Sequence, residues 1–241
     1  MTDDKEKTAD FQWNGLYKIG GLGALIAAML LLIEIIVFSI WPQPTTVMNY
    51  FALFQSNKLV GLIDLYLLEL VAYALFIPLF LAFYISLRRF NESYMLLAMI
   101  LASIGIAVFL ATNNPFTMLS LSNQYLAATT EAQKSLFLAA GQALLINTNQ
   151  RAVGGFNIGF LLVCIAGLLV SVVMLQNRIF SKTNAYIGIL TFVISLVDYF
   201  RIIFQPSKFI LLLIIAILSG ILLFIWLILV GLRLLQLGSG H

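Results

Sequence analysis

Residues 209–235, with the sequence FILLLIIAILSGILLFIWLILVGLRLL, decide the fold class of this chain. Arg233, close to the end, is the single charged residue in the stretch. About 20 consecutive apolar residues are needed for a helix to cross the hydrocarbon core of a bilayer. The stretch exceeds that length. Since every backbone polar group in lipid must be satisfied internally, it is predicted to be a transmembrane helix.

Five further apolar stretches share this character. They run from about Leu16 to Ile40, Leu59 to Leu87, Tyr94 to Thr112, Val153 to Leu175 and Ala185 to Phe204. We expect Pro78, inside the second of them, to kink that helix without ending it, because neighbouring helices can satisfy the freed carbonyl. The predicted fold class is therefore all-α, a polytopic transmembrane helical bundle of about six spans.

The composition supports this fold class. The chain is 62% hydrophobic and 10% charged, whereas soluble domains are about half apolar and a quarter charged. The net charge of +3 comes from basic residues that stand singly or in pairs at predicted helix ends. That distribution is typical of membrane topology signals, so membrane lipids are the expected partners and nucleic acid is not.

The sequence divides into three parts. Residues 1–15 form a polar N-terminal tail, residues 16–237 a single transmembrane domain, and residues 238–241 resemble a linker and the start of a purification tag. We expect the first helix to act as an uncleaved signal anchor, because its apolar run is too long for a signal peptide.

The segment Asn113–Gln150 separates the third and fourth spans. It is too long for a structureless loop in a compact protein. Its part Ser135–Ile146 is apolar enough for a short helix but falls short of a full span. We predict a helical cap, extramembrane or re-entrant, on one side of the membrane. A seventh, partial span is the alternative.

Positive charges orient the chain. With a cytoplasmic N-terminus, eight basic residues face the cytoplasm: Lys5, Lys7, Lys18, Arg88, Arg89, Arg178, Lys182 and Arg233. Five face the other side: Lys58, Lys134, Arg151, Arg201 and Lys208. This bias indicates a cytoplasmic N-terminus. A seven-span arrangement gives the same split, so charge does not settle the number of helices.

Missing residue types exclude several chemistries. Cys164 is the one cysteine and His241, the last residue, the one histidine. An intrachain disulfide, a thiolate metal site and histidine-dependent serine or zinc hydrolysis are therefore excluded. The sequence has neither a phosphate-binding P-loop nor a dinucleotide fingerprint. We predict no metal, cofactor or catalytic residue, and a non-enzymatic function is favoured.

Four acidic residues lie within the apolar stretches: Glu34, Asp64, Glu69 and Asp198. Charges at membrane depth are costly and usually pair with one another or line a wet cavity. In the six-span orientation all four lie toward the outer half, which predicts an outward-facing polar pocket. The predicted binding set is Glu34, Asp64, Glu69, Asn123, Gln124, Arg151, Asp198 and Arg201. Alternatively, Asp198 and Arg201 form an intrahelical ion pair.

Four functions remain open. The first is binding of a lipid headgroup or small solute in the polar pocket. The second is proton-linked transport of a small solute or ion through Glu69 or Asp64, although the acids do not follow an inverted repeat. The third is intramembrane hydrolysis by Asp64 and Asp198, which would have to share a proton about 3 Å apart. The fourth is a structural or assembly role through glycine faces such as Gly155 and Gly159.

Three polar motifs in the middle of the chain, and two stretches after them, carry a family resemblance. The motifs are LSLSNQY at residues 119–125, ATTEAQ at 128–133 and AAGQALL at 139–145. Residues 173–175, 179–182 and 185–190 in the next stretch, and 226–231 in the last helix, continue the likeness. The sequence resembles a prokaryotic membrane protein family catalogued as domain of unknown function 4386. The resemblance implies a multi-pass protein in the cytoplasmic (inner) membrane of a bacterium or archaeon. It implies no activity.

Overall fold

A computed structural model describes residues 2–41, 43–148, 157–204 and 209–239, without the side chains of residues 2–12, 146–148, 201–204, 209–214 and 216. Within these ranges the chain forms α-helices and no strand. The helices are α1 (Thr2–Ile40), α2 (Val47–Ser56), α3 (Lys58–Asp64), α4 (Leu67–Leu87), α5 (Glu92–Thr112), α6 (Pro115–Ala127), α7 (Glu131–Thr148), α8 (Ile158–Met174), α9 (Lys182–Phe204) and α10 (Phe209–Gly238).

Six of these helices form the membrane bundle. Among the described residues, five stretches are long and apolar enough to cross a membrane: Trp13–Ile40, Leu67–Leu87, Glu92–Ala127, Lys182–Phe200 and Ile217–Gly238. The third stretch contains α5 and continues into α6. Helix α8 is a shorter apolar helix. The predicted all-helical bundle of about six spans is therefore confirmed.

The bundle helices close into a ring. Helix α1 packs against α4, α4 against α5, α5 against α8, α8 against α9, α9 against α10, and α10 returns to α1. Successive bundle helices run in opposite directions. Helix α1 finishes at the end of the bundle where α2, α3, α6 and α7 lie, and we call this the cap end. The opposite end, where α1 starts and α10 finishes, is the tail end.

Aromatic side chains fill the ring from its middle to the tail end. Phe83 of α4 contacts Trp226 of α10 across the ring, with ring centroids 5.6 Å apart. Phe83 also packs against Phe180, which follows α8, and Trp226 packs against Phe192 of α9. Large aromatic side chains bury more apolar area than other residues, so this cluster forms the core of the bundle.

Glycines bring two pairs of bundle helices into close contact. A Cβ atom added to Gly159 of α8 would lie 2.6 Å from the carbonyl oxygen of Gly105 on α5. A Cβ on Gly21 of α1 would lie 2.8 Å from the carbonyl oxygen of Gly231 on α10. Small residues let backbones approach where lipid supplies no hydrophobic force between helices. Gly155 lies outside the described residues.

The cap has a core of its own. Helices α2, α3, α6 and α7 bury a separate apolar cluster of Val47, Tyr50, Phe51, Phe54, Leu65, Met118 and Leu145. Helix α3 joins the cap to the bundle, because it contacts both α1 and α4. As predicted, the segment after the third span is helical. It divides into α6, with Pro115 at its start and Asn114 as its N-cap, and α7.

The second predicted span differs from the structure. The sequence predicts one helix over Leu59–Leu87, whereas the chain forms α3 and α4 with a break at Leu65 and Tyr66. Tyr66 adopts the left-handed conformation, with φ of 74°. The stretch is longer than the roughly 20 residues that a span needs, so its first part is free to join the cap, where Leu65 is buried. Pro78 lies within α4 and does not end it, as predicted.

We predict that Gly159→Ala lowers the free energy of unfolding by about 1–3 kcal/mol, because the new methyl group overlaps the α5 backbone. Thermal unfolding in detergent micelles measures this change. Gly220→Ala is the matched control, since a Cβ there meets nothing within 4 Å. A helical Gly→Ala change without steric conflict is neutral or stabilising. Equal unfolding midpoints for the two variants would contradict the close contact between α5 and α8.

Candidate functional site

Two carboxylates are buried at the cap end of the bundle. Glu34 in α1 and Asp64 at the end of α3 each expose 5% of their surface. The neighbours of Glu34 in sequence, Ile33 and Ile35, are exposed as lipid-facing residues would be. Glu34 is therefore turned toward protein, where a charge needs a polar partner or a ligand.

The packing of α1 on α4 brings Glu34 level with Asp64. A Cβ on Gly20 would meet Pro78 and Ala82, and a Cβ on Gly23 would meet Leu75, so the two helices run antiparallel. Continuing this register along α1 places Glu34 beside the junction of α3 and α4. Helix α1 also contacts α3 directly. The structure thus brings these two predicted residues to one corner of the bundle.

Glu69 adds a third acid at this end. It lies in the first turn of α4 and is partly buried. We call Glu34, Asp64 and Glu69 the acidic corner. One oxygen of Asp64 (Oδ2) and one of Glu69 (Oε2) are buried without a hydrogen bond, although both residues make other interactions. The described residues contain no group of three or more His, Cys, Asp or Glu side chains suited to a metal ion.

A layer of polar side chains continues from Glu69 across the inside of the ring. Tyr73, one turn beyond Glu69, lies near Glu69 and near Cys164 of α8. Cys164 also lies near Tyr199 of α9. Tyr73, Cys164 and Tyr199 thus form a polar layer on α4, α8 and α9, between the acidic corner and the aromatic core. Tyr73 also stacks on Phe109 of α5, with centroids 3.6 Å apart.

Two asparagines complete this polar layer at the cap end. Asn113 ends α5, and its Nδ2 donates to the carbonyl oxygen of Phe109 at 3.0 Å. Asn157 precedes α8, and its Oδ1 accepts from the backbone N–H of Phe160 at 3.0 Å. Asn113 Oδ1 and Asn157 Nδ2 are buried and make no hydrogen bond. Buried polar atoms of this kind are uncommon, and they are available to a small polar ligand.

The remaining predicted binding residues lie elsewhere. Asp198 is half-buried on α9, beside Tyr199 of the polar layer. Arg151, and the side chain of Arg201, fall outside the described residues, so the predicted Asp198–Arg201 pair stays a prediction. Asn123 and Gln124 are exposed on α6, and Gln124 donates to Ser120 at 3.1 Å.

The cap surface holds one ion pair between described residues. Lys134 donates to Glu131 at 3.0 Å, within the first turn of α7. The hydrogen bond that Lys134 donates to Glu131 raises the pKa of Lys134. The pair is exposed and one turn apart, which is typical of helix-surface pairs with little effect on stability.

The two aspartates of the hydrolase hypothesis lie on helices with different main neighbours. Asp64 ends α3, which packs against α2, α6, α1 and α4, whereas Asp198 is on α9, which packs against α8 and α10. A shared proton requires carboxylates about 3 Å apart. The helix packing gives no support to such a pair.

Sequence reasoning overlooked Tyr73, Asn113, Asn157 and Tyr199 as site residues. One signal was available, because Glu69 and Tyr73 are four residues apart and so share a helix face. Asparagine at a helix end is usually a cap, as Asn157 is here, so the asparagines gave no comparable signal.

The comparisons with known proteins identify a family and no activity. A family model described as Domain of unknown function (DUF4386) matches residues 16–231. No curated protein and no solved structure matches the chain.

The single cysteine offers a probe of the polar layer. Cys164 is 3% exposed, between Tyr73 and Tyr199. We predict that a water-soluble maleimide modifies the folded protein more slowly than the unfolded protein by on the order of a hundredfold, an opening free energy of about 3 kcal/mol. Mass spectrometry of timed samples measures the rates. A Cys164→Ala, Ser120→Cys variant is the exposed control. Rapid modification of Cys164 would mean that water reaches the polar layer.

Proposed function

The chain belongs to the DUF4386 family of unknown function, and we propose that it is a multi-pass membrane protein that binds a small solute or a lipid headgroup at the cap end. We further propose that the bound group is an organic ammonium ion. The observation that carries the proposal is the burial of Glu34 and Asp64 at one corner of a largely apolar bundle.

Electrostatics supports a positively charged ligand. A buried carboxylate stays ionised only when opposite charge or hydrogen bonds offset its desolvation. Asp64 Oδ2 and Glu69 Oε2 are buried and accept no hydrogen bond, so each presents a carboxylate oxygen to a ligand. A cationic ligand beside these oxygens would be stabilised by their negative charge. Glu34, Asp64 and Glu69 therefore complement a cationic ligand better than an anionic one.

The aromatic surroundings favour an organic cation. Tyr66 lies two residues after Asp64, and Tyr73 lies one turn beyond Glu69, stacked on Phe109. Aromatic faces attract ammonium groups by about 0.5–2 kcal/mol each, and quaternary ammonium ions are the usual example. Carboxylates combined with tyrosine rings therefore suit choline-like or ethanolamine-like groups, whether in a free solute or in a lipid headgroup.

Charge distribution supports an outward-facing cap in the cytoplasmic membrane. Among the described side chains, six basic residues lie at the tail end: Lys18, Arg88, Arg89, Arg178, Lys182 and Arg233. Lys58 and Lys134 lie in the cap. Cytoplasmic loops carry the excess of basic residues, so the tail end is assigned to the cytoplasm and the acidic corner to the outer half.

Proton-linked transport is the second candidate function. The break between α3 and α4 beside Asp64 favours it, since discontinuous helices form the ion sites of many transporters. Binding and transport differ in one measurement. In liposomes loaded with a pH dye, addition of choline changes the internal pH for a transporter and leaves it unchanged for a binding protein.

We predict that choline and ethanolamine raise the thermal unfolding midpoint of the detergent-purified protein, whereas glycerol and glycerol phosphate do not. Glu34→Gln and Asp64→Asn should each weaken choline binding about thirtyfold or more, because a buried charge partner is lost. Glu92→Gln is the matched control, since Glu92 is exposed at the tail end. A shift that persists in the Glu34→Gln, Asp64→Asn double variant would refute the acidic corner as the site.

Single cysteines test the orientation. In a Cys164→Ala background, we expect a membrane-impermeant maleimide added to intact cells to label Ser120→Cys in the cap. Gln176→Cys, in the turn after α8 at the tail end, should be labelled only after permeabilisation. Both positions are exposed, so access to the reagent depends on the side of the membrane. The reverse labelling pattern would place the cap in the cytoplasm.

A further inference from the structure

A groove at the tail end lies far from the acidic corner. It has a volume of about 430 Å³ and lies between the α8–α9 turn and α10. We call it the basic groove. Its lining residues are Arg178, Ile179, Ser181, Asn184, Leu229, Leu232, Arg233 and Gln236.

Two guanidinium groups dominate the charge of the basic groove. Arg233 is held in place, because its Nε donates to the carbonyl oxygen of Ile179 and its Nη1 donates to Gln236 at 3.1 Å. Arg178 is exposed and forms no hydrogen bond or ion pair with a described residue. No acidic side chain is among the lining residues. The basic groove therefore contains two positive charges. That of Arg233 is held in place by hydrogen bonds, and that of Arg178 is exposed.

Neutral groups add further polar character. Asn184 is 5% exposed, and its Oδ1 accepts a hydrogen bond from the Ser181 hydroxyl at 2.8 Å. Ser181 also caps α9, since its hydroxyl accepts from the backbone N–H of Asn184. The N-terminus of α9 carries partial positive charge. The α9 end of the groove is therefore positive, as the two arginines are.

The other wall of the basic groove is apolar. Leu229 and Leu232 of α10 line it, and Leu232 exposes 48% of its surface on the outside of the bundle. A ligand in the groove therefore meets cationic groups at the end of the bundle and apolar surface along α10. That combination matches an amphipathic molecule with an anionic head.

We propose that the basic groove binds the phosphate headgroup of an anionic phospholipid, with an acyl chain along Leu229 and Leu232. Guanidinium groups bind phosphate oxygens through paired, charge-assisted hydrogen bonds. Basic pockets between transmembrane helices on the cytoplasmic side are suited to such headgroups. The apolar wall favours a lipid over a soluble phosphate. The inference is independent of the ligand proposed for the acidic corner.

Native mass spectrometry of the full chain in detergent tests the proposal. Dioleoyl-phosphatidylglycerol and dioleoyl-phosphatidylcholine are titrated separately, and glycerol phosphate supplies the soluble headgroup. In the Glu34→Gln, Asp64→Asn background, which removes the choline site proposed for the acidic corner, we expect tighter binding of phosphatidylglycerol than of phosphatidylcholine. Arg178→Gln should weaken phosphatidylglycerol binding about five- to tenfold, since each basic group near the membrane surface contributes about 1 kcal/mol. Phosphatidylcholine binding should be unchanged.

Two further variants make the result decisive. Arg88→Gln removes the same charge at the same end but outside the groove, and should leave phosphatidylglycerol binding unchanged. Gln236→Glu places a carboxylate beside Arg233 and should weaken binding without removing an arginine. Equal losses in Arg88→Gln and Arg178→Gln, or no loss in both groove variants, would overturn the proposal. Glycerol phosphate binding as tightly as phosphatidylglycerol would overturn the lipid assignment.

Discussion

Close backbone contact between helices is the constraint on which the rest of the structure depends. Lipid is as apolar as leucine, so burial alone does not drive helices together in a membrane. The glycine contacts of α5 with α8 and of α1 with α10 supply tight packing instead. These glycine contacts set the register of α5 against α8 and of α1 against α10. The register in turn decides which side chains meet inside the ring.

The interior of the ring is divided along its length. Aromatic side chains around Phe83 and Trp226 fill it from the middle to the tail end. Tyr73, Cys164 and Tyr199 lie toward the cap end, and Tyr73 is near Glu69. An apolar plug on one side and polar groups on the other favour binding from the cap end over passage through the bundle. For this reason we propose binding of a solute or headgroup as the first function and transport as the second.

The cap depends on the break in the second apolar stretch. Had Leu59–Leu87 continued as one helix, Asp64 would lie on a straight span. Because Tyr66 adopts a left-handed conformation, α3 turns into the cap and Leu65 joins its apolar core. Asp64 is thereby buried at the junction of cap and bundle, level with Glu34. One backbone conformation therefore links the cap to the acidic corner.

The sequence by itself determined the fold class, the approximate spans and the rare acids, because apolar length and charge in a membrane are strong, local signals. It did not determine the break at Tyr66, the ring order or the partners of Glu69. The spans are apolar around most of their circumference, so no hydrophobic stripe marks the inward face. Tyr73, Asn113 and Asn157 became site candidates only when helix packing brought them together. That packing depends on glycine contacts between distant parts of the chain, and no local pattern encodes them.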